Sequence, residues 1–285
     1  MGRPMCVNLL AAGYGVSAFD PVITAVEEMV DQGAVAGKSA ADVAERSDLT
    51  LLMVRDAAQA EAAVRCEKGF LEGADEGDVL LVMSSLPPDL IRGFGEEFSS
   101  RRIGLLDAPV SGGVEGAREG SLTIMAAGSV GAFGRCRAVL GVVGGRVHHV
   151  AEEVGLGQTL KALNQALYFA GLAASAEAVV MGAKAGLDPE VLVEVVGESS
   201  GGNWALKNRA PLAWRNGYRS GGALSIALKD LATATGLANE LKVPAPVLSA
   251  TAHLFKLAEG LLGTEGDDPL VVKAVEVIAR HEIER

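Results

Sequence analysis

The chain has 285 residues, 49% of them hydrophobic, and a formal net charge of −11. This balance excludes a bulk-charge surface for nucleic acid or anionic membrane, and it supplies enough apolar residues for two ordinary domains. Three cysteines, Cys6, Cys66 and Cys136, are odd in number and far apart, which fits reduced thiols in the cytoplasm better than a disulfide framework.

Residues 2–12 read as a helix, and Gly13-Tyr14-Gly15 as a turn. The apolar run 16–19 is a short strand ending at Asp20, and Pro21 starts the next helix. Runs 49–54, 79–83 and 103–106 are further strands, the second ending in Ser84-Ser85 and the third in Asp107. Helices follow from Ala57 and from Pro87-Pro88. Short apolar runs alternating with helices predict a parallel sheet covered on both faces. Ligands of such sheets sit off the carboxyl ends of the strands, where Asp20, Ser84, Ser85 and Asp107 all fall. An acidic residue at the place of Asp20 can bind the ribose hydroxyls of NAD and repels the 2′-phosphate of NADP. The same residue next to Pro21 also suits a helix cap.

Ser111-Gly112-Gly113 reads as a small-residue loop after the fourth strand. Two glycines let backbone N–H groups crowd toward an anion such as a carboxylate, and the serine hydroxyl adds a donor. Most Ser-Gly-Gly stretches are simply turns. Runs 122–126 and 147–150 complete the first domain, placed at 1–152. The four histidines, His148, His149, His253 and His281, show no metal-ligand spacing, so no metal is expected.

From Gly155 the chain reads as helix. Leu156, Leu160, Leu163 and Leu167 form one apolar stripe. Lys161, Asn164, Gln165 and Tyr168 recur at i, i+3, i+4 and i+7 on the opposite side. A helix this apolar is expected to be buried on most sides, with its polar patch facing a cavity, a ligand or a partner. A lysine on a helix is often only a surface charge. Gly155 and Gly157 allow close backbone approach where the helix begins, and burial depresses a lysine's pKa, which suits proton transfer near neutral pH. The run 166–183 contains Glu177 and is mostly alanine and glycine, which reads as a buried helix and not a membrane span. Further helices are expected after Pro189, over 224–241, over 247–262 and from Pro269 to the C-terminus, giving an all-helical second domain at 153–285.

Three motifs in order carry a resemblance: Asp107-Ala-Pro-Val-Ser-Gly-Gly113, the Gly155-Leu156-Gly157 helix start with Lys161, and Lys229-Asp230-Leu231. Together they resemble the β-hydroxyacid dehydrogenases over essentially the whole chain. The resemblance implies an α/β Rossmann-like, NAD(P)-binding domain followed by an all-α domain, and commonly a homodimer or homotetramer. It implies Lys161 as catalytic acid/base, Ser111, Gly112 and Gly113 as the substrate carboxylate site, and Asn164 and Gln165 as substrate-binding amides. Gly2, Asp20, Ser85 and Lys229 fall on the cofactor side. Gln165 stands where many members have Asn. Together with Arg55-Asp56-Ala57-Ala58-Gln59 it points to the L-threonate dehydrogenase branch, hence to a small hydroxy or dihydroxy acid as substrate.

The start departs from the pattern. The family opens with a strand and Gly-x-Gly-x-x-Gly, of which only the third glycine, Gly2, is present. The first strand is therefore expected to be missing, either because the chain starts at an internal methionine or because it is a truncated homologue with a structural role. Imine reduction on the same scaffold is a further alternative, against which Lys161 counts.

Overall fold

The structure is a computed structural model that describes residues 1–284. The strands are β1 (Ser17–Ala18), β2 (Val35–Ala36), β3 (Leu49–Leu52), β4 (Val79–Val82), β5 (Gly104–Asp107), β6 (Val110–Ser111), β7 (Leu122–Ala127) and β8 (Gly144–Ala151). The helices threaded among them are α1 (Gly2–Ala11), α2 (Ile23–Val30), α3 (Ala40–Ala44), α4 (Ala57–Arg65), α5 (Phe70–Gly73), α6 (Pro88–Ser100), α7 (Gly113–Glu119) and α8 (Val130–Val143). Helix α9 (Leu156–Lys184) follows, then α10 (Pro189–Gly197), α11 (Trp204–Asn208), α12 (Leu212–Arg215), α13 (Leu224–Glu240), α14 (Pro246–Leu262) and α15 (Leu270–Ala279). The chain divides into two compact units, Met1–Lys161 and Ala162–Arg285, and the dividing point falls inside α9.

In the first unit β3, β4 and β5 pair in parallel, with Leu81 opposite Leu51 on one side and Leu106 on the other. Period-two alternation sends β4 to two cores. Val79, Leu81 and Met83 pack with Met5 of α1 and with Ala132, Cys136, Leu140 and Val143 of α8. Leu80 and Val82 pack with Ala60 and Val64 of α4, Phe70 of α5, and Ile91, Phe94 and Phe98 of α6. Every residue of β4 is buried, as expected of a strand covered on both faces.

The parallel pairing expected of the early strands is found in β3, β4 and β5, and the later strands add antiparallel pairs. β7 runs antiparallel to β5 and to β6, and only β8 pairs with it in parallel. Hydropathy runs mark a buried strand and carry no direction. The loop expected at Ser111 is also partly strand, since Ser111 pairs with Thr123 and Gly113 already opens α7. β1 and β2 form a parallel pair of their own, and among the described residues no strand joins β1 to β3.

In the second unit Phe169, Leu172, Ala176, Val179 and Val180 of α9 pack with Leu231, Phe255, Val271 and Val272. Phe169 and Phe255 meet edge to face at 5.2 Å. Helix α9 is long and apolar enough to cross a membrane by length and composition alone, but these side chains are the core of a helical bundle. The last helix stops short of the expected end. Arg280 takes a left-handed conformation with φ of 50°, which closes α15 after Ala279.

Candidate active site

Asp107 ends β5 with a side chain wholly removed from solvent. Gly155 precedes the first turn of α9 and has no side chain with which to cap it. Asp107 does so from another element: Oδ2 accepts the N–H groups of Gly155 and Gln158, each at 3.0 Å. Gln158 completes the joint. Its Nε2 donates to Asp107 Oδ1 at 2.8 Å and to the Ser84 carbonyl at 2.9 Å, while its Oε1 accepts the Leu86 N–H at 2.9 Å. Ser84 is buried and ties in β3, its hydroxyl accepting the Val54 N–H at 2.7 Å. Burial pushes the Asp107 carboxyl up to about 7, opposed by the hydrogen bonds from Gln158 and Gly155.

The two glycines of the helix start are both required. Gly155 has φ of 91°, and a Cβ there would stand 3.0 Å from the Pro88 carbonyl oxygen. A Cβ on Gly157 would stand 2.6 Å from the Met125 carbonyl oxygen and 2.8 Å from that of Asp107. The helix therefore begins in backbone contact with the carboxyl end of the sheet. One turn later comes Lys161, 8% exposed, among the most buried charged residues of the chain.

The polar face of α9 meets partners, as expected, but the leucine stripe does not share the burial expected of most of the helix. Leu156, Leu160, Leu163 and Leu167 are exposed, Leu167 by 78%, while Gln158 and Lys161 on the other face are buried. In the second unit that polar face is ordered by Asp230, which is buried. Gln165 Nε2 donates to Asp230 Oδ2 at 2.7 Å, and Asn164 Nδ2 donates to Gln165 Oε1 at 2.9 Å. Lys229 Nζ lies 2.9 Å from Asp230 Oδ1. Asn164, Gln165 and Lys229 are thus brought together. Tyr168 points its hydroxyl at Asp268 Oδ2, 2.5 Å away, and burial raises its pKa well above the usual range.

Ser111, Gly112 and Gly113 lie at the end of β6 and the start of α7, with φ of 131° at Gly112 and 66° at Gly113, so only glycine suits both positions. Both glycines are exposed and Ser111 is half-buried. Ser85 is half-buried one residue beyond Ser84. Gly2 opens α1, where a Cβ would come 3.8 Å from Met53 Cβ just past β3. Asp20 is exposed two residues beyond β1, and its Oδ1 accepts the Val22 N–H at 2.8 Å. It thus makes the local turn contact.

Asp20 and the first turn of α1 are the positions at which the resemblance expects the ribose and pyrophosphate of a dinucleotide; Asp20 is an exposed carboxylate beyond β1 and α1 opens at Gly2. Among the described residues no group of three His, Cys, Asp or Glu side chains could hold a metal ion.

The sequence reading missed the cap made by Asp107, the clamp made by Gln158 and the bridge made by Asp230. A signal for Gln158 was present, because it lies three residues before Lys161 and so continues the polar stripe backward by one turn.

Comparison with known proteins agrees with this architecture. Residues 1–151 match the model of the NAD binding domain of 6-phosphogluconate dehydrogenase, and residues 155–275 match that of NADP-dependent 3-hydroxyisobutyrate dehydrogenase. The chain is 32% identical to the L-threonate dehydrogenase of Cupriavidus necator over 274 residues, covering 96% of this chain and 92% of that one. It is 36% identical to the 3-hydroxyisobutyrate dehydrogenase of Pseudomonas aeruginosa over 266 residues, covering 90% and 88%. The solved structure of Mycobacterium tuberculosis 3-hydroxyisobutyrate dehydrogenase with L-serine is similar with a TM-score of 0.88 at 28% identity, covering 96% of this chain and 95% of that one.

Proposed function

The chain belongs to the β-hydroxyacid dehydrogenases related to 3-hydroxyisobutyrate dehydrogenase, NAD-dependent oxidoreductases of hydroxy acids, and within that family we propose that Lys161 is its acid/base on a small 2,3-dihydroxy or 3-hydroxy carboxylate. The observation that carries this reading is the burial of Lys161 one turn after a helix start that is anchored to the carboxyl edge of the sheet.

Ser111, Gly112 and Gly113 hold the substrate carboxylate, and Asn164 and Gln165 bind its hydroxyl groups. Gly2, Asp20, Ser85 and Lys229 serve the cofactor side. NAD supplies the hydride acceptor at its nicotinamide ring. In its neutral amine form Lys161 would take the hydroxyl proton as the hydride leaves the same carbon, becoming the ammonium that returns the proton in the reverse direction. The exposed Asp20 carboxylate favours NAD over NADP by repelling a 2′-phosphate. L-Threonate is the first substrate to try, because Gln165 stands where many members of the family have Asn and the chain is 32% identical to an L-threonate dehydrogenase. The protein works in the cytoplasm, where its free thiols Cys6, Cys66 and Cys136 stay reduced, and it assembles as a homodimer or homotetramer.

Lys161→Ala is expected to lower kcat for NAD reduction with L-threonate or 3-hydroxyisobutyrate by about 100-fold or more, with NAD binding by calorimetry kept. Wild-type turnover in that variant would remove Lys161 from the role.

A further inference from the structure

We propose that Asp107 and Gln158 are positioning residues for Lys161, holding the first turn of α9 against the ends of three strands so that the lysine amine keeps one place. The inference rests on the reading of Lys161 as acid/base. It adds two residues with no expected contact to substrate or cofactor, and a way in which they act.

The geometry is a closed hydrogen-bond network. Gln158 has two amide hydrogens, given to Ser84 O and Asp107 Oδ1, and its amide oxygen takes the Leu86 N–H. The carboxamide therefore has one orientation only; turned over, it would place a donor against the Leu86 N–H and an acceptor against the Ser84 carbonyl. Asp107 in turn accepts from Gly155 N, Gln158 N and Gln158 Nε2. Asp107, Gln158 and Ser84 are all buried, so each lost bond leaves a polar group with no water to replace it. Gly157, between the anchored residues, lies against the Asp107 and Met125 carbonyls. The first turn can thus neither rotate nor slide without breaking several of these contacts together. Lys161 is three residues past Gln158 on the same face, so a shift of that turn moves its amine. Misplacement of a reacting group by about 1 Å costs on the order of 100-fold in rate.

The network also predicts a reciprocal pair of changes. In Asp107→Asn the new amide nitrogen faces Gln158 Nε2, donor against donor. In Gln158→Glu two carboxylates face each other. In D107N/Q158E the contact is restored with donor and acceptor exchanged, at the cost of the bond to the Ser84 carbonyl.

The test is steady-state NAD reduction with the better of L-threonate and 3-hydroxyisobutyrate, run beside thermal melts. The proteins are wild type, Q158L, D107N, D107N/Q158E and K161A. Folded Q158L and D107N are expected to lose about tenfold to 100-fold in kcat, with KM for NAD within about threefold. D107N/Q158E is expected to recover several-fold over D107N. A second readout needs no substrate: trace acetylation with acetic anhydride, followed by mass spectrometry at Lys161. Q158L is expected to change its labelling rate by about threefold or more, relative to the exposed Lys242 of the same chain.

Q158L with wild-type kcat and wild-type Lys161 labelling, beside an inactive K161A, overturns the positioning role and leaves Lys161 as acid/base. An active K161A overturns the functional reading instead. If Q158L does not fold, the D107N pair decides, and no recovery in the double variant overturns the proposal. If neither substrate turns over, the labelling decides: an unchanged rate overturns the positioning role.

Discussion

Asp107 is a carboxyl group for which burial and hydrogen bonding pull in opposite directions. Its place at the end of β5 was legible in the sequence, since an acid closing an apolar run marks the carboxyl edge. The donors it meets come from residues 48 and more positions away, and no local pattern announces them. Burial wins, raising its pKa from an ordinary carboxylate value to about 7. A raised folded-state pKa means that the native state binds the proton more tightly than the unfolded chain does. The associated stability is therefore full below about pH 4 and is lost as pH rises through about 7. Urea melts between pH 5 and 8 should show this loss, with a slope of up to about 1.4 kcal/mol per pH unit in excess of the D107N variant. Equal slopes in both proteins would mean that Asp107 titrates as an ordinary acid. Asp20 stands at the other extreme, exposed and accepting the Val22 N–H. Asp20→Ala should weaken NAD binding about tenfold or more by calorimetry, while NADP binding is unchanged or tighter. Equal loss for both cofactors would make Asp20 a turn residue only.

At the scale of elements, α9 shows what periodicity resolves and what it leaves open. Two opposed stripes, leucines on one side and Lys161 with Gln165 on the other, were readable, and so was the need of the polar stripe for a partner, but the exposure of the leucines was not. The usual assignment puts leucine inside. Here Gln158 and Lys161 are inside and the leucines are out, and Asp107 and Ser84 supply Gln158 with polar partners at the sheet edge. Strands β3, β4, β5 and β7 appeared as apolar runs, whereas β2 and β6 are two residues each and have no run to read. The glycines of the helix start give a test of close approach. Gly157→Ala would put a methyl group 2.6 Å from a carbonyl oxygen, and it should destabilise the protein by about 1–3 kcal/mol in a urea melt. Gly134→Ala, on α8, meets nothing within 4 Å and should instead stabilise by up to about 1 kcal/mol. Similar effects at both sites would mean that helix propensity alone governs Gly157.

For the whole molecule, the exposed leucine face of α9 bears on assembly. Leu156, Leu160, Leu163 and Leu167 form an exposed ridge, and Met181 extends the exposed apolar surface of the same helix. Isolated apolar side chains on a surface need no explanation, but a contiguous ridge along one helix does. Burying a leucine side chain is worth roughly 1.5–3 kcal/mol, so a second copy of the chain meeting this ridge would gain substantially. Each copy also carries −11 charge, and this mutual repulsion is screened by salt. The homo-oligomer should therefore tighten as ionic strength rises, opposite to an assembly held by ion pairs. Light scattering behind size exclusion is expected to give twice or four times the 29.2 kDa chain mass. The pair Leu163→Glu and Leu167→Glu should shift the mass toward a single chain while circular dichroism keeps its helical signal. An unaltered mass in that variant would move the interface off this ridge, and a monomeric wild type at every salt concentration would remove the oligomer altogether.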